Sequence, residues 1–121
     1  MAIKKILVVD DTPLYLNQIR QILSDAGYEV ISASSGTEAL EQAKKELPDL
    51  IFMDIVMPEM DGFAACRAMT KNCETKDIPI AFVSSKDQEA DRVWAELQGA
   101  KAYITKPYTA DQILEQVEMF D

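Results

Sequence analysis

The sequence predicts a doubly wound α/β domain built on a five-stranded parallel sheet. Three observations carry that expectation. Short apolar runs recur along the chain at Ile6–Val9, Val30–Ala33, Leu50–Met53, Ile80–Val83 and Ala102–Ile104. Most lack the polar alternation of a half-exposed strand, which suits parallel strands covered on both faces. The stretches between the runs carry apolar residues at helical spacing, so strand and helix alternate.

The elements follow in order. ILVVDDTP closes the first run with Asp10 and Asp11, and Pro13 suits the first position of a helix capped by Asp11 or Thr12. Ile19, Ile22, Leu23 and Ala26 form that helix's apolar stripe, and Gly27 falls just past its end, where a left-handed cap is wanted. After the second run, Ala39, Leu40, Ala43 and Leu47 form the next stripe. Phe63, Cys66, Met69 and Cys73 follow the third run, and Ala90, Val93, Trp94 and Leu97 the fourth, with Gly99 as a second helix stop. Ile113, Leu114, Val117 and Phe120 form the last stripe. Thr109 and Gln112 make a capping box ahead of it.

Five βα units with right-handed crossovers favour the flavodoxin-like order 2-1-3-4-5, a three-layer (βα)5 sandwich; the chain is too short for an eight-stranded barrel. A length of 121 residues with 48% hydrophobic and 27% charged composition fits one globular domain, with no linker or low-complexity stretch inside it. The net charge of −9 leaves no basic stripe for a phosphate backbone, which argues against nucleic acid. MAIKKILVV is too short for a signal peptide, and no stretch is apolar enough to span a membrane, so a cytoplasmic location is expected. Cys66 and Cys73 lie about 10 Å apart on a common helix, too far for a disulfide. Cys66 is expected in the core and Cys73 as a free thiol near the helix end. The chain has no histidine, which disfavours zinc.

In sheets of this order ligands bind beyond the carboxyl ends of the strands. There the sequence delivers Asp10 and Asp11 after the first strand, Asp54 after the third, Ser84 and Ser85 after the fourth and Lys106 after the fifth. Each has a plainer use alone: an aspartate caps a helix, a serine turns a chain, a lysine before proline is a surface charge. Their convergence on one edge changes the reading. Carboxylates at close range raise one another's pKa, and one ammonium does not offset three of them. A hard divalent cation does, and Mg²⁺, with Mn²⁺ as the alternative, suits an all-oxygen site shared with a phosphoryl group. Asp54 is then placed as a nucleophile toward phosphorus, with Lys106 and the Ser84 hydroxyl on the phosphoryl oxygens.

ILVVDD, DIVMPEMDG, VSS and TKP together resemble the receiver domains of two-component response regulators, the CheY-like fold, over essentially the whole chain. The resemblance implies that Asp54 is the phosphoacceptor. It implies that Asp10, Asp11, Asp54 and the backbone carbonyl of Val56 hold Mg²⁺, with Asp11 the more direct ligand of the acidic pair. Ser84 and Lys106 take the family's hydroxyl and lysine places. Pro107 corresponds to a proline that follows a cis peptide, and Tyr103 to an aromatic switch residue that moves inward when Ser84 is drawn to the phosphoryl group. The side chain of Val56 lies at the mouth, where it bears on the attacking water. SKDQEADRVWAELQGA is similar to receivers of chemosensory systems that control type IV pili and twitching motility. Trp94 lies in that stretch, either widening a core stripe or anchoring a partner on the face of helix 4, strand 5 and helix 5.

The expected function is therefore that of a single receiver domain over residues 1–121 without an output domain. Phosphorylation by a sensor histidine kinase changes contacts with a downstream protein, in chemotaxis or pilus-motility control. It is not expected to be an enzyme beyond its own phosphotransfer and dephosphorylation, and is expected to be a monomer or a weak phosphorylation-dependent dimer. A phosphate sink for a shared kinase is the alternative within the family. A Mg²⁺-dependent phosphohydrolase working through an aspartyl-phosphate is the alternative outside it, although Val56 occupies the position where such an enzyme wants an acid/base carboxylate. A flavin carrier is disfavoured, because DDTP would repel a cofactor phosphate.

Overall fold

The computed structural model describes residues 3–121. Met1 and Ala2, which open the stretch weighed above as a leader, lie outside the described residues. The apolar runs form β1 (Lys5–Val9), β2 (Glu29–Ala33), β3 (Leu50–Met53), β4 (Ile80–Ser84) and β5 (Ala102–Thr105). The amphipathic stretches form α1 (Pro13–Asp25), α2 (Gly36–Glu46), α3 (Gly62–Lys71), α4 (Glu89–Leu97) and α5 (Ala110–Phe120). All strand pairs are parallel and the sheet order is β2-β1-β3-β4-β5, as the sequence predicts.

The sheet separates two apolar layers. Leu7, Val9, Ile51, Met53 and Phe82 face the side covered by α2, α3 and α4. Ile6, Val8, Leu50, Phe52, Ala81 and Val83 face the side covered by α1 and α5. Burial on both faces holds throughout β3 and β4 and for all but the first residue of β1; β2 and β5 are edge strands and remain partly exposed. Register does the rest. Val9 is level with Met53, so Asp10 and Asp54 leave the sheet side by side, and Ser84 is level with Thr105, which sets Lys106 next to them.

Helix ends show where the local signals succeed and where they do not. Gly27 and Gly99 adopt φ of 95° and 104° past α1 and α4, and Thr109 with Gln112 forms a reciprocal capping box on α5. Asp11 does not cap α1. Thr12 is the N-cap residue, with no side-chain cap bond, and its N–H donates to Asp10 Oδ1 at 2.9 Å instead. Cys66 is buried and Cys73 is exposed, both free, but α3 stops at Lys71 and Cys73 lies beyond it. Leu47 does not join the α2 stripe. It is the left-handed C-cap residue, φ 46°, and is exposed.

The fourth stripe is the largest departure. Val93, Trp94 and Leu97 are 51%, 48% and 70% exposed. Ala95, one position further round the helix from Trp94, is the α4 residue that turns inward, followed by the buried C-cap residue Gln98. Small Ala95 lets α4 sit close to the sheet edge and leaves its apolar stripe to one side.

Candidate functional site

Four strands deliver polar groups to the carboxyl edge of an otherwise apolar sheet. The Asp10 N–H donates to the Ala33 carbonyl at 3.2 Å, and the Asp54 N–H donates to the Val9 carbonyl at 2.9 Å. These bonds carry the sheet ladder one residue past the strands and hold both carboxyl groups at its mouth. Asp10 is 2% exposed, Asp54 is 6% exposed, and Asp11 is open to solvent. Oxygens from the three carboxylates lie within 4.8 Å of one another.

Lys106 closes the cluster. Its N–H donates to the Ser84 carbonyl at 2.8 Å, and its Nζ reaches Asp10 Oδ2 at 2.9 Å and Asp54 Oδ2 at 3.6 Å. The Lys106–Pro107 peptide is cis, as the resemblance implies. Asp54 Oδ1 accepts from the Ile55 N–H at 2.8 Å. Burial first, and then the negative charge of Asp10, push the Asp54 carboxyl up to about 6; Lys106 and the Ile55 N–H pull the other way without cancelling them. The site is thus short of positive charge with Lys106 already in place.

The donor set fits a hard cation: it is all oxygen, anionic, partly buried and convergent. Asp10, Asp11 and Asp54 are the side chains that can hold Mg²⁺. Val56, two residues past Asp54, has its side chain largely exposed.

Ser84 and Ser85 separate clearly. Ser84 is the buried last residue of β4, with Oγ accepting from the Lys86 N–H at 3.2 Å, while Ser85 points to solvent. Tyr103 is half-buried on β5 and donates its hydroxyl to the Lys86 carbonyl at 2.6 Å, so Ser84 and Tyr103 hold the same backbone residue from two sides. The Arg92 guanidinium lies 5.0 Å from the Tyr103 ring centroid. Burial raises the Tyr103 phenol above its ordinary value. Trp94 stands apart from this cluster, touching Phe63 edge-on at 6.5 Å between ring centroids.

Two site neighbours escape the sequence reading. Tyr15 and Tyr108 pack against each other at 6.4 Å, and the Tyr15 ring lies under the Lys106 ammonium. The available signal was positional. Tyr15 sits in the first turn of a helix that starts at the strand ends, and Tyr108 follows the lysine by two residues.

A parallel sheet of this order, with an aspartate triad and a lysine at its carboxyl edge, defines a class of proteins: phosphoryl-handling signalling domains of the CheY-like fold. The chain belongs to the response regulator receiver domain family, whose sequence model matches residues 6–118. It is 42% identical to protein PilH of Pseudomonas aeruginosa over 113 residues, 93% of each chain. Its fold matches chemotaxis protein CheY4 of Vibrio cholerae with a TM-score of 0.93 and 31% identity, covering 99% of this chain and 100% of that one. It also matches the receiver domain of a Pseudomonas aeruginosa sensor histidine kinase, whose structure has a magnesium ion coordinated in the active site cleft. There the TM-score is 0.90 at 26% identity, covering 98% of both chains.

Proposed function

We propose that this chain, like the receiver domains of its family, is a signalling switch that takes phosphoryl groups from a histidine kinase and acts on a downstream target, with Asp54 as its phosphoacceptor. The observation that carries the reading is the position of Asp54: buried within the carboxylate cluster, with its Oδ2 3.6 Å from the only ammonium that enters the cluster among the described residues.

In the transfer step an Asp54 carboxylate oxygen forms a bond to phosphorus as the phosphorus–nitrogen bond of a phosphohistidine breaks, and the imidazole leaves with the electron pair. Asp10, Asp11 and Asp54, with the Val56 carbonyl that the family resemblance adds, would hold Mg²⁺, which would supply charge neutralisation to the phosphoryl oxygens. Lys106 exchanges its bond with Asp10 for a phosphoryl oxygen. The Ser84 hydroxyl takes another and releases the Lys86 N–H that it now binds. That exchange disturbs Lys86, the residue to which Tyr103 is also anchored, so a charge change at Asp54 reaches β5 in two steps. The side of α4 that leaves Val93, Trp94 and Leu97 uncovered, where Trp94 meets Phe63 of α3, is the face offered to a downstream protein, and Tyr103 adjoins the same helix through Arg92. The likeness to PilH supports placing the switch in a chemosensory pathway for pilus-driven motility, in the cytoplasm; none of the helices formed by the described residues is long and apolar enough to cross a membrane.

The test is intact mass after incubation with Mg²⁺ and a small acyl phosphate. The native chain gains one phosphoryl group and Asp54→Asn gains none. An unmodified native chain, or an adduct that persists in Asp54→Asn, contradicts the assignment. Sustained release of inorganic phosphate from many donors at steady turnover identifies a hydrolase instead.

A further inference from the structure

Lys106 has three neighbours of its ammonium, and one of them carries no charge. Besides Asp10 at 2.9 Å and Asp54 at 3.6 Å, the Tyr15 ring lies with its centroid 3.9 Å from Nζ. That is well inside the range at which an aromatic face attracts a cation, and the lysine side chain is only 7% exposed, so little water competes. The ring is itself braced. Tyr108 packs on it at 6.4 Å, and the Tyr108 hydroxyl is tied to Gln18 Oε1 at 3.3 Å, one turn along the same helix.

We propose that Tyr15 is a positioning residue for Lys106, holding the ammonium at the mouth by its ring face during phosphoryl transfer. The inference rests on the reading of Asp54 as phosphoacceptor and adds a requirement to it. Both carboxylate partners of Lys106 are committed elsewhere during the reaction: Asp10 to the cation and Asp54 to phosphorus. An aromatic face remains available throughout, because it neither binds a hard cation nor reacts. It keeps the ammonium desolvated and directed at the phosphoryl oxygens while the carboxylates change partners. A phenol is not required for this, only a six-membered aromatic face.

Two measurements test the proposal. In the metal-free native chain, NMR should find the Lys106 ε-methylene protons shifted upfield by the Tyr15 ring current; the shift should persist in Tyr15→Phe and vanish in Tyr15→Leu. With Mg²⁺ and an acyl phosphate, Tyr15→Leu should lower the maximal phosphorylation rate by about three- to tenfold, in line with a partly desolvated cation–aromatic contact. The apparent Mg²⁺ affinity should be unchanged within about twofold, and Tyr15→Phe should restore the rate. The proposal is overturned by unshifted ε-protons in the native chain, by a native rate in Tyr15→Leu, or by a rate in Tyr15→Phe as low as in Tyr15→Leu. A native chain that takes no phosphoryl group contradicts the phosphoacceptor reading instead, and the NMR measurement then still decides whether the ring holds the ammonium.

Discussion

Asp54 gives the fold a cost that can be measured. Its carboxyl ionises near 6 in the folded protein and near 3.8 when unfolded, because burial and Asp10 disfavour its charge. Between those values the folded chain binds more protons than the unfolded one, so the Asp54 contribution to stability falls as pH rises and levels off above about 6. In chelator-treated protein, Asp54→Asn should therefore gain stability over the native chain between pH 4 and 7. The gain should reach about 1–3 kcal/mol, the scale for an imperfectly compensated buried charge. Urea midpoints across that range check the sign, and a gain that shrinks with rising pH contradicts it. The site residues at this scale were largely legible. Asp10, Asp54, Ser84 and Lys106 each end or follow a strand, and the chain order names the strand. What was not legible was how each carboxylate is used locally. Asp10, rather than Asp11, accepts the Thr12 N–H, because Asp10 is the residue that the sheet ladder holds in place.

At the scale of elements, the join between β3 and α3 is the tightest around the site. A Cβ on Gly62 would stand 2.2 Å from the Asp54 carbonyl oxygen and 2.8 Å from Ile55 Cα. The Gly62 N–H also donates to the Ile55 carbonyl at 2.7 Å. Gly62→Ala must push the helix away from the backbone that carries Asp54. It should cost about 1–3 kcal/mol in urea unfolding and slow phosphorylation even at saturating Mg²⁺. The sequence placed every helix, yet misjudged the facing of α4. Helical spacing reports that apolar residues share a stripe, not whether the sheet covers it, and a helix over an edge strand has little sheet to cover it. Trp94→Ala should accordingly cost about 1 kcal/mol or less, where a core tryptophan would cost about 3–5. Partner recovery in pull-downs should fall while urea midpoints barely move; equal recovery counts against the output face.

For the whole molecule, two apolar layers stabilise an edge that electrostatics alone would disfavour, in a chain of net charge −9. A ligand that binds only the folded state adds stability by mass action, about 2.7 kcal/mol at a hundredfold excess over Kd. Thermal unfolding should therefore move up by several degrees with saturating Mg²⁺ at neutral pH. The rise should be smaller at pH 5, where Asp54 holds its proton, and smaller in Asp11→Asn. A Tm indifferent to Mg²⁺ would count against the cation site. The architecture was legible because five repeats of one pattern admit few arrangements. The aromatic brace under Lys106 was not, since it joins the start of α1 to the β5–α5 loop, and no local pattern reports that pairing.

The central claim is that the strand ends converge to make Asp54 the phosphoacceptor, and acyl-phosphate chemistry reads this directly. Borohydride reduces an aspartyl phosphate to homoserine and leaves free carboxylates intact, so peptide mapping of the phosphorylated, reduced chain identifies the acceptor. The account predicts homoserine at position 54 alone. Homoserine at position 10 or 11, or at no aspartate in a chain that has gained a phosphoryl group, would contradict it.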